Sequence, residues 1–134
     1  MEGRDPPATT RTTAQRAGDA AESLVASRLR DAGWTILARN VHVGRRELDL
    51  VAVDPGPPRS IVIVEVRWRA RRDYGLAEET VDQRKRTRVR QAAYAWLERS
   101  GPATLALPVR FDLIVVEPGD GEGEPRIRHH RWAL

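Results

Sequence analysis

Between Arg45 and Arg69 the chain places carboxylates where a folded protein has little structural use for them. Glu47-Leu48-Asp49 is followed, after a turn, by Ile61-Val62-Ile63-Val64-Glu65-Val66-Arg67, so Glu65 interrupts an apolar run. Burying an unpaired charge is costly, and Glu65 therefore needs a partner. Three are at hand: a metal ion, a cation such as Arg67, or a coupled site made with Asp49. Neighbouring strands lie about 4.8 Å apart, so carboxylates on the same face of two strands can share one hard cation. Mg2+ and Mn2+ take oxygen ligands and keep waters for a substrate phosphate. Such a site polarises a phosphodiester and lowers the pKa of a bound water. Arg67 falls on the same face as Glu65 and would sit beside that water. The competing explanation is a structural salt bridge, for which a fully buried strand is a poor location.

A second group is basic. Arg84, Lys85, Arg86, Arg88 and Arg90 crowd the first half of a helix expected from about Thr80 to Arg99. Lys85 is in register with Val89, Ala92 and Trp96, so it faces the sheet. A cation near a helix N-terminus opposes the dipole, which calls for a nearby carboxylate or phosphate. The arginines are expected to point outward, either as a solvated face or as a track along a DNA backbone. Tyr74, in the charged loop before the helix, has the chemistry to stack on a base or to anchor the loop. His129 and His130 are adjacent on a presumed strand and point oppositely, so they are read as surface or phosphate-facing residues. There is no Ser/His/Asp constellation and no glycine-rich phosphate loop.

The elements that must position these groups follow from periodicity. Residues 1–16 are polar and read as a disordered basic tail. Gly18 to Ala32 has a helical stripe (Ala21, Leu24, Val25, Leu29), with Gly33 as its C-terminal stop. Glu22 lies beside that stripe, as a surface residue or as a carboxylate aimed into a site. Trp34 to Val43 is a first strand entering a turn at Gly44. On the second strand, Glu47 to Val53, alternation puts Leu48, Leu50 and Ala52 on one face and Glu47, Asp49, Val51 and Val53 on the other. Ile61 to Val66 reads as a strand covered on both faces. Val109 to Val116 is a fourth strand, carrying Arg110 and Asp112, and Ile127 to Leu134 a fifth. The order α-β-β-β-α-β-β gives an α/β fold, a mixed sheet flanked by helices. Residues 17–134 are expected to form a single domain.

Composition narrows the function classes. With no cysteine, disulfides, thiolate catalysis and cysteine-ligated metals are excluded. No apolar run is long enough to span a membrane, and the N-terminus lacks a signal-peptide pattern. The expectation is a soluble cytoplasmic protein. Net charge is +4, and of the 23 basic residues only Lys85 is a lysine. Arginine grips phosphate bidentately, so a polyanion is a plausible partner, although arginine richness also follows from GC-rich coding.

Several residues, in order, carry a resemblance. They are Gly18, Glu22 and Ala26; Gly33-Trp34, Ile36-Leu37 and Arg39-Asn40; Glu47-Leu48-Asp49-Leu50; Val64-Glu65-Val66-Arg67 with Arg69; Tyr74-Gly75; Lys85; and Arg110-Phe111-Asp112. Together they resemble the YraN family of small bacterial proteins, from about Gly18 to Val116. That family is assigned to the restriction-endonuclease-like PD-(D/E)xK superfamily and resembles Holliday-junction resolvases in its layout. The resemblance implies an endonuclease-like domain that hydrolyses DNA with Mg2+ (or Mn2+) in repair or recombination, the DNA being branched in the resolvase case. It implies Asp49 and Glu65 as metal-binding carboxylates, with Glu22 completing the acidic cluster. Two positions depart from the family pattern. Arg46 stands where the family reads glycine, and Arg67 where it reads lysine. Arginine stays charged and is bulkier than lysine, so Lys85 is the candidate to supply the missing amine from the helix. Arg69, Arg84, Arg86 and Arg88 are the candidate DNA contacts. Resolvase-like nucleases pair to cut two strands, which makes a second copy of the chain a candidate partner. The competing functions are a non-catalytic nucleic-acid-binding module on the same fold, and a protein-interaction domain.

Overall fold

The structure, a computed structural model, describes residues 12–69, 83–121 and 123–134. Helix α1 (Thr13–Asp31) leads into β1 (Thr35–Val43), β2 (Arg46–Asp54) and β3 (Ser60–Trp68). Then come α2 (Gln83–Ser100), the short α3 (Pro102–Leu105), β4 (Val109–Glu117) and β5 (Arg126–His130). The five strands form one sheet in the order β1-β2-β3-β4-β5, antiparallel throughout except for the parallel β3–β4 pair. This is the expected mixed sheet flanked by helices, with α3 added where Ser100-Gly101-Pro102 is expected only to stop α2. None of the helices described is long and apolar enough to cross a membrane.

Helix α1 starts earlier than its stripe suggests. Thr12 and Gln15 form a capping box, with Thr12 Oγ1 accepting from the Gln15 N–H at 3.0 Å and Gln15 Oε1 from the Thr12 N–H at 2.7 Å. These bonds satisfy two backbone donors that a helix start otherwise leaves open. Residues 13–16 are therefore helical, which corrects the reading of a disordered tail as far as Arg16; residues 1–11 lie outside the described residues. At the other end Gly33 adopts φ +93°. The Trp34 and Gly33 N–H groups donate to Leu29 and Arg30, a Schellman closure that needs a left-handed residue.

Two apolar layers cover the sheet. On one face Val25, Ala26 and Leu29 of α1 pack on Leu50, Ala52, Val62, Val64, Ile114 and Val116. On the other, Ala92, Ala93 and Leu97 of α2 pack on Val51, Val53, Ile61, Ile63, Phe111 and Leu113. Strands β3 and β4 are buried on both faces, which explains their near-continuous apolar sequences. Leu48 departs from the expected alternation. It packs with the α2-side core rather than with Leu50 and Ala52. The fifth strand ends at His130, and Leu134 turns back into the α2-side core.

Alternation fails at Leu48 because the sheet forks there. The β2–β3 ladder stops at Leu50↔Val64, although both strands continue. Below that point β2 stays paired to β1 as far as Arg46, and β3 to β4 as far as Trp68. Asn40, in the β1 position facing Asp49, has φ +50°, a left-handed conformation that asparagine tolerates better than most residues.

Candidate functional site

The fork sets the site's geometry. Where the next ladder pair would have been Asp49 and Glu65, the Asp49 side chain reaches between the strands instead. Its Oδ2 accepts from the Val66 N–H at 2.8 Å. The Asp49 carboxyl also shares a hydrogen bond with Glu65. Burial and the neighbouring Glu65 charge push Asp49 up to about 8, against the lowering effect of the Val66 N–H. At neutral pH Asp49 therefore keeps its proton in the hydrogen bond it shares with Glu65, as expected when two carboxylates crowd one site.

Glu65 is held from two directions. Lys85 Nζ lies 2.6 Å from Glu65 Oε1, and Arg67 Nε lies 3.6 Å from the same oxygen. The register argument that aims Lys85 at the sheet is thus met by a specific partner. Asp49, Glu65 and Lys85, without Arg67, line the floor of a cleft of ≈ 500 Å³ between the β1–β2 hairpin and α2, where Arg45 and Arg46 stand on one side and Arg84 and Arg88 on the other.

Arg84 and Arg88 are exposed and also line the cleft. Arg86 is exposed and does not line it. Arg90 stacks over Phe111, 4.4 Å from the ring centroid, and reaches the Leu134 carbonyl. Arg69 is half-buried at the end of β3, its N–H donating to Val116. Tyr74, Gly75 and the start of the helix at Thr80 lie outside the described residues.

Glu22 is brought close, but into a neighbouring cavity. With the Asn40 amide turned to satisfy its neighbours, its NH2 donates to Glu22 Oε1 at 2.6 Å and Glu47 Oε1 at 3.0 Å. Burial raises the Glu22 pKa, and the charges of Glu47 and Asp19 raise it further. Glu47 lines both cavities and so joins them. Among the described residues no three carboxylate or imidazole groups come together as a metal-binding cluster. The direct candidate ligands are therefore Asp49 and Glu65, with Glu22 acting on them through space.

A second charged cluster, on the α1-side face of the sheet and beside Val64 rather than in the cleft, goes beyond the expectations from sequence. Arg110 is 6% exposed and Asp112 fully buried. Arg110 Nε donates to Asp112 Oδ1 and Nη2 to Asp54 Oδ2, both at 2.9 Å. His129 Nε2 lies 2.7 Å from Asp112 Oδ2, and the Trp132 N–H donates to Asp112 Oδ1 at 3.1 Å. His129 is thus tied to a carboxylate rather than presented as a surface or phosphate-facing group. Burial alone would raise Asp112 and Asp54. The hydrogen bonds from His129 and Arg110 hold Asp112 below its usual range, and those from the Gly56 N–H and Arg110 do so for Asp54. The signal is present in the sequence: Arg110 and Asp112 interrupt an apolar strand two residues apart, as Glu65 and Arg67 do.

The family described as "Uncharacterised protein family UPF0102" matches residues 21–116. The chain belongs to the UPF0102 (YraN) family. It is similar to a UPF0102 protein of Pseudomonas aeruginosa, 37% identical over 119 residues, covering 89% of this chain and 92% of the relative. A UPF0102 protein of Symbiobacterium thermophilum is 40% identical over 114 residues, covering 85% and 92%. One from Halorhodospira halophila is 43% identical over 111 residues, covering 83% and 85%. The UPF0102 match spans Glu22, Asp49, Glu65, Lys85 and Asp112, but stops before β5 and His129.

Proposed function

We propose that this UPF0102 protein is a metal-dependent deoxyribonuclease acting in DNA repair or recombination. The observation that carries the reading is the forked sheet. It brings Asp49 and Glu65 side by side, with Glu65 in contact with the chain's one lysine, at the floor of an arginine-walled cleft.

The donor set fits a hard divalent cation. Two carboxylates on splayed strands offer oxygen ligands only, and Mg2+ is commonly held by one or two carboxylates plus substrate oxygens. Asp49 and Glu65 would hold it. When bound, such an ion polarises the phosphodiester and makes water a competent nucleophile at neutral pH. The chain's own groups do the rest. The Val66 N–H fixes the Asp49 carboxyl, and Lys85 orients Glu65 and stands where an attacking water can be held. Arg67 adds a fixed positive charge behind the Glu65 carboxylate. Lys85 thereby supplies from α2 the amine that Arg67 replaces on β3.

The test is incubation with single-stranded, duplex and branched DNA, with Mg2+ or Mn2+ and with chelator, alongside Asp49→Ala. Cleavage by the wild type that chelator and substitution abolish supports the reading; no cleavage of any substrate overturns it. A second reading has its own observation. Lys85 and Arg67 already neutralise Glu65, so the site is electrostatically tolerable without metal. A non-catalytic DNA-binding module would then bind with steep salt dependence and cut nothing.

A further inference from the structure

We infer that the β1–β2 hairpin is a phosphate-binding wall: Arg45 and Arg46, with Arg84 and Arg88 across the cleft, clamp a DNA strand whether or not metal is present. The inference rests on the proposed nuclease reading for the identity of the polyanion, and assigns the surface that grips it. The hairpin is built for placement. Val43 pairs with Arg46, which leaves only Gly44 and Arg45 in the turn, and Gly44 has φ +61°. A two-residue turn with a left-handed glycine first is a tight, pre-organised connection, so little loop entropy opposes holding the backbone of both arginines at the cleft mouth. On the opposite wall Arg84 and Arg88 are four apart and share a helix face.

Lys85 is committed to Glu65, but among the described residues none of the four arginines has a carboxylate partner. With Lys85 the cleft lining carries five cations against Glu47, Asp49 and Glu65, so an excess of positive charge faces the gap and a polyanion between the walls relieves it. Arginine forks suit phosphate oxygens. A strand seated there passes over Asp49 and Glu65, so the same contacts deliver a phosphodiester to the carboxylates.

Binding in chelator, where no metal-dependent step can run, tests the inference on labelled single-stranded, duplex and four-way-junction DNA. Each phosphate contact contributes roughly 0.7 to 0.9 to the slope of log affinity against log salt. Arg45→Ala/Arg46→Ala should lower that slope by about 1.5 and weaken binding roughly 10- to 100-fold at low salt. Arg45→Lys/Arg46→Lys should restore most of the slope. Arg30→Ala, on the exposed side of α1, removes the same kind of charge elsewhere and should leave binding within about 2-fold. An alanine pair that binds with the wild-type slope overturns the inference, as does an equal loss from Arg30→Ala. These outcomes are independent of cleavage. A protein that never cuts but loses its slope with the hairpin arginines sinks the nuclease reading alone. One that cuts with Mg2+ but shows no hairpin effect sinks the wall alone.

Discussion

Replacing Asp49 by asparagine should stabilise the metal-free protein, and increasingly so as pH rises. The asparagine side chain is nearly isosteric: its Oδ1 can accept from the Val66 N–H and its amide can donate to Glu65, reproducing the protonated aspartic acid. In the wild type Asp49 titrates at about 8 when folded, against an ordinary aspartate value of 3.8. A carboxyl raised in this way binds its proton more tightly in the folded state. Its contribution is fully present at low pH and is lost as pH climbs from the unfolded value through the folded one. The slope is about 1.4 kcal/mol per pH unit, so between about pH 5 and 8 the wild type should lose on the order of 4 kcal/mol that the variant keeps. Total stabilities of small domains are only about 5–15 kcal/mol, so such a change is large. Urea unfolding of both proteins in chelator, at several pH values, measures it. The stability difference should widen steadily with pH. A difference that stays constant across that range would refute the buried, proton-sharing pair. Mg2+ added at about pH 8 should narrow the gap by stabilising the wild type and not the variant, because a cation replaces the proton between the carboxylates.

Four further outcomes follow. Lys85→Ala should lower metal-dependent cleavage by about 100-fold or more, the usual scale for a positioned proton-handling group; full cleavage by this variant would remove Lys85 from the mechanism. Arg110→Met should destabilise the fold by about 3–5 kcal/mol in urea unfolding, because it removes the buried cation that Asp54 and Asp112 share. Both carboxylates have lowered pKa values, so their stabilisation is present above the ordinary aspartate range and is lost as pH falls below about 4; a wild-type stability profile flat through that acid window would contradict the network. Thr12→Ala should cost about 1 kcal/mol through the lost cap, read by denaturant midpoint at unchanged m-value.

The sequence carried much of this site because the informative residues break a pattern locally. Glu65 in an apolar run and Lys85 in an apolar helical stripe each demand a partner, and the fold makes them partners of each other. Periodicity places the two long helices and all five strands in order, but it starts α1 five residues late, extends β5 four residues too far and misses the short α3. It could not show the fork, because alternation assumes a regular ladder. The left-handed Asn40 and the early end of β2–β3 pairing belong to tertiary structure. The Asp54–Arg110–Asp112–His129 cluster escaped for a related reason. Its odd residues were visible singly, but Asp54 and Arg110 are 56 positions apart, and only the parallel β3–β4 crossover brings them together. The cleft walls needed both a rigid hairpin and a helix facing it, and neither is a local property of Arg45 or Arg88.

The contact between Lys85 and Glu65 makes the protein a reporter on itself. A chain with one lysine has one side-chain amine, and that amine lies in the candidate site. Amine-directed labelling, followed by mass, would therefore read the site directly, with only the α-amino terminus to subtract. Whatever fills the cleft should protect that single position, while the arginines around it stay silent to the reagent.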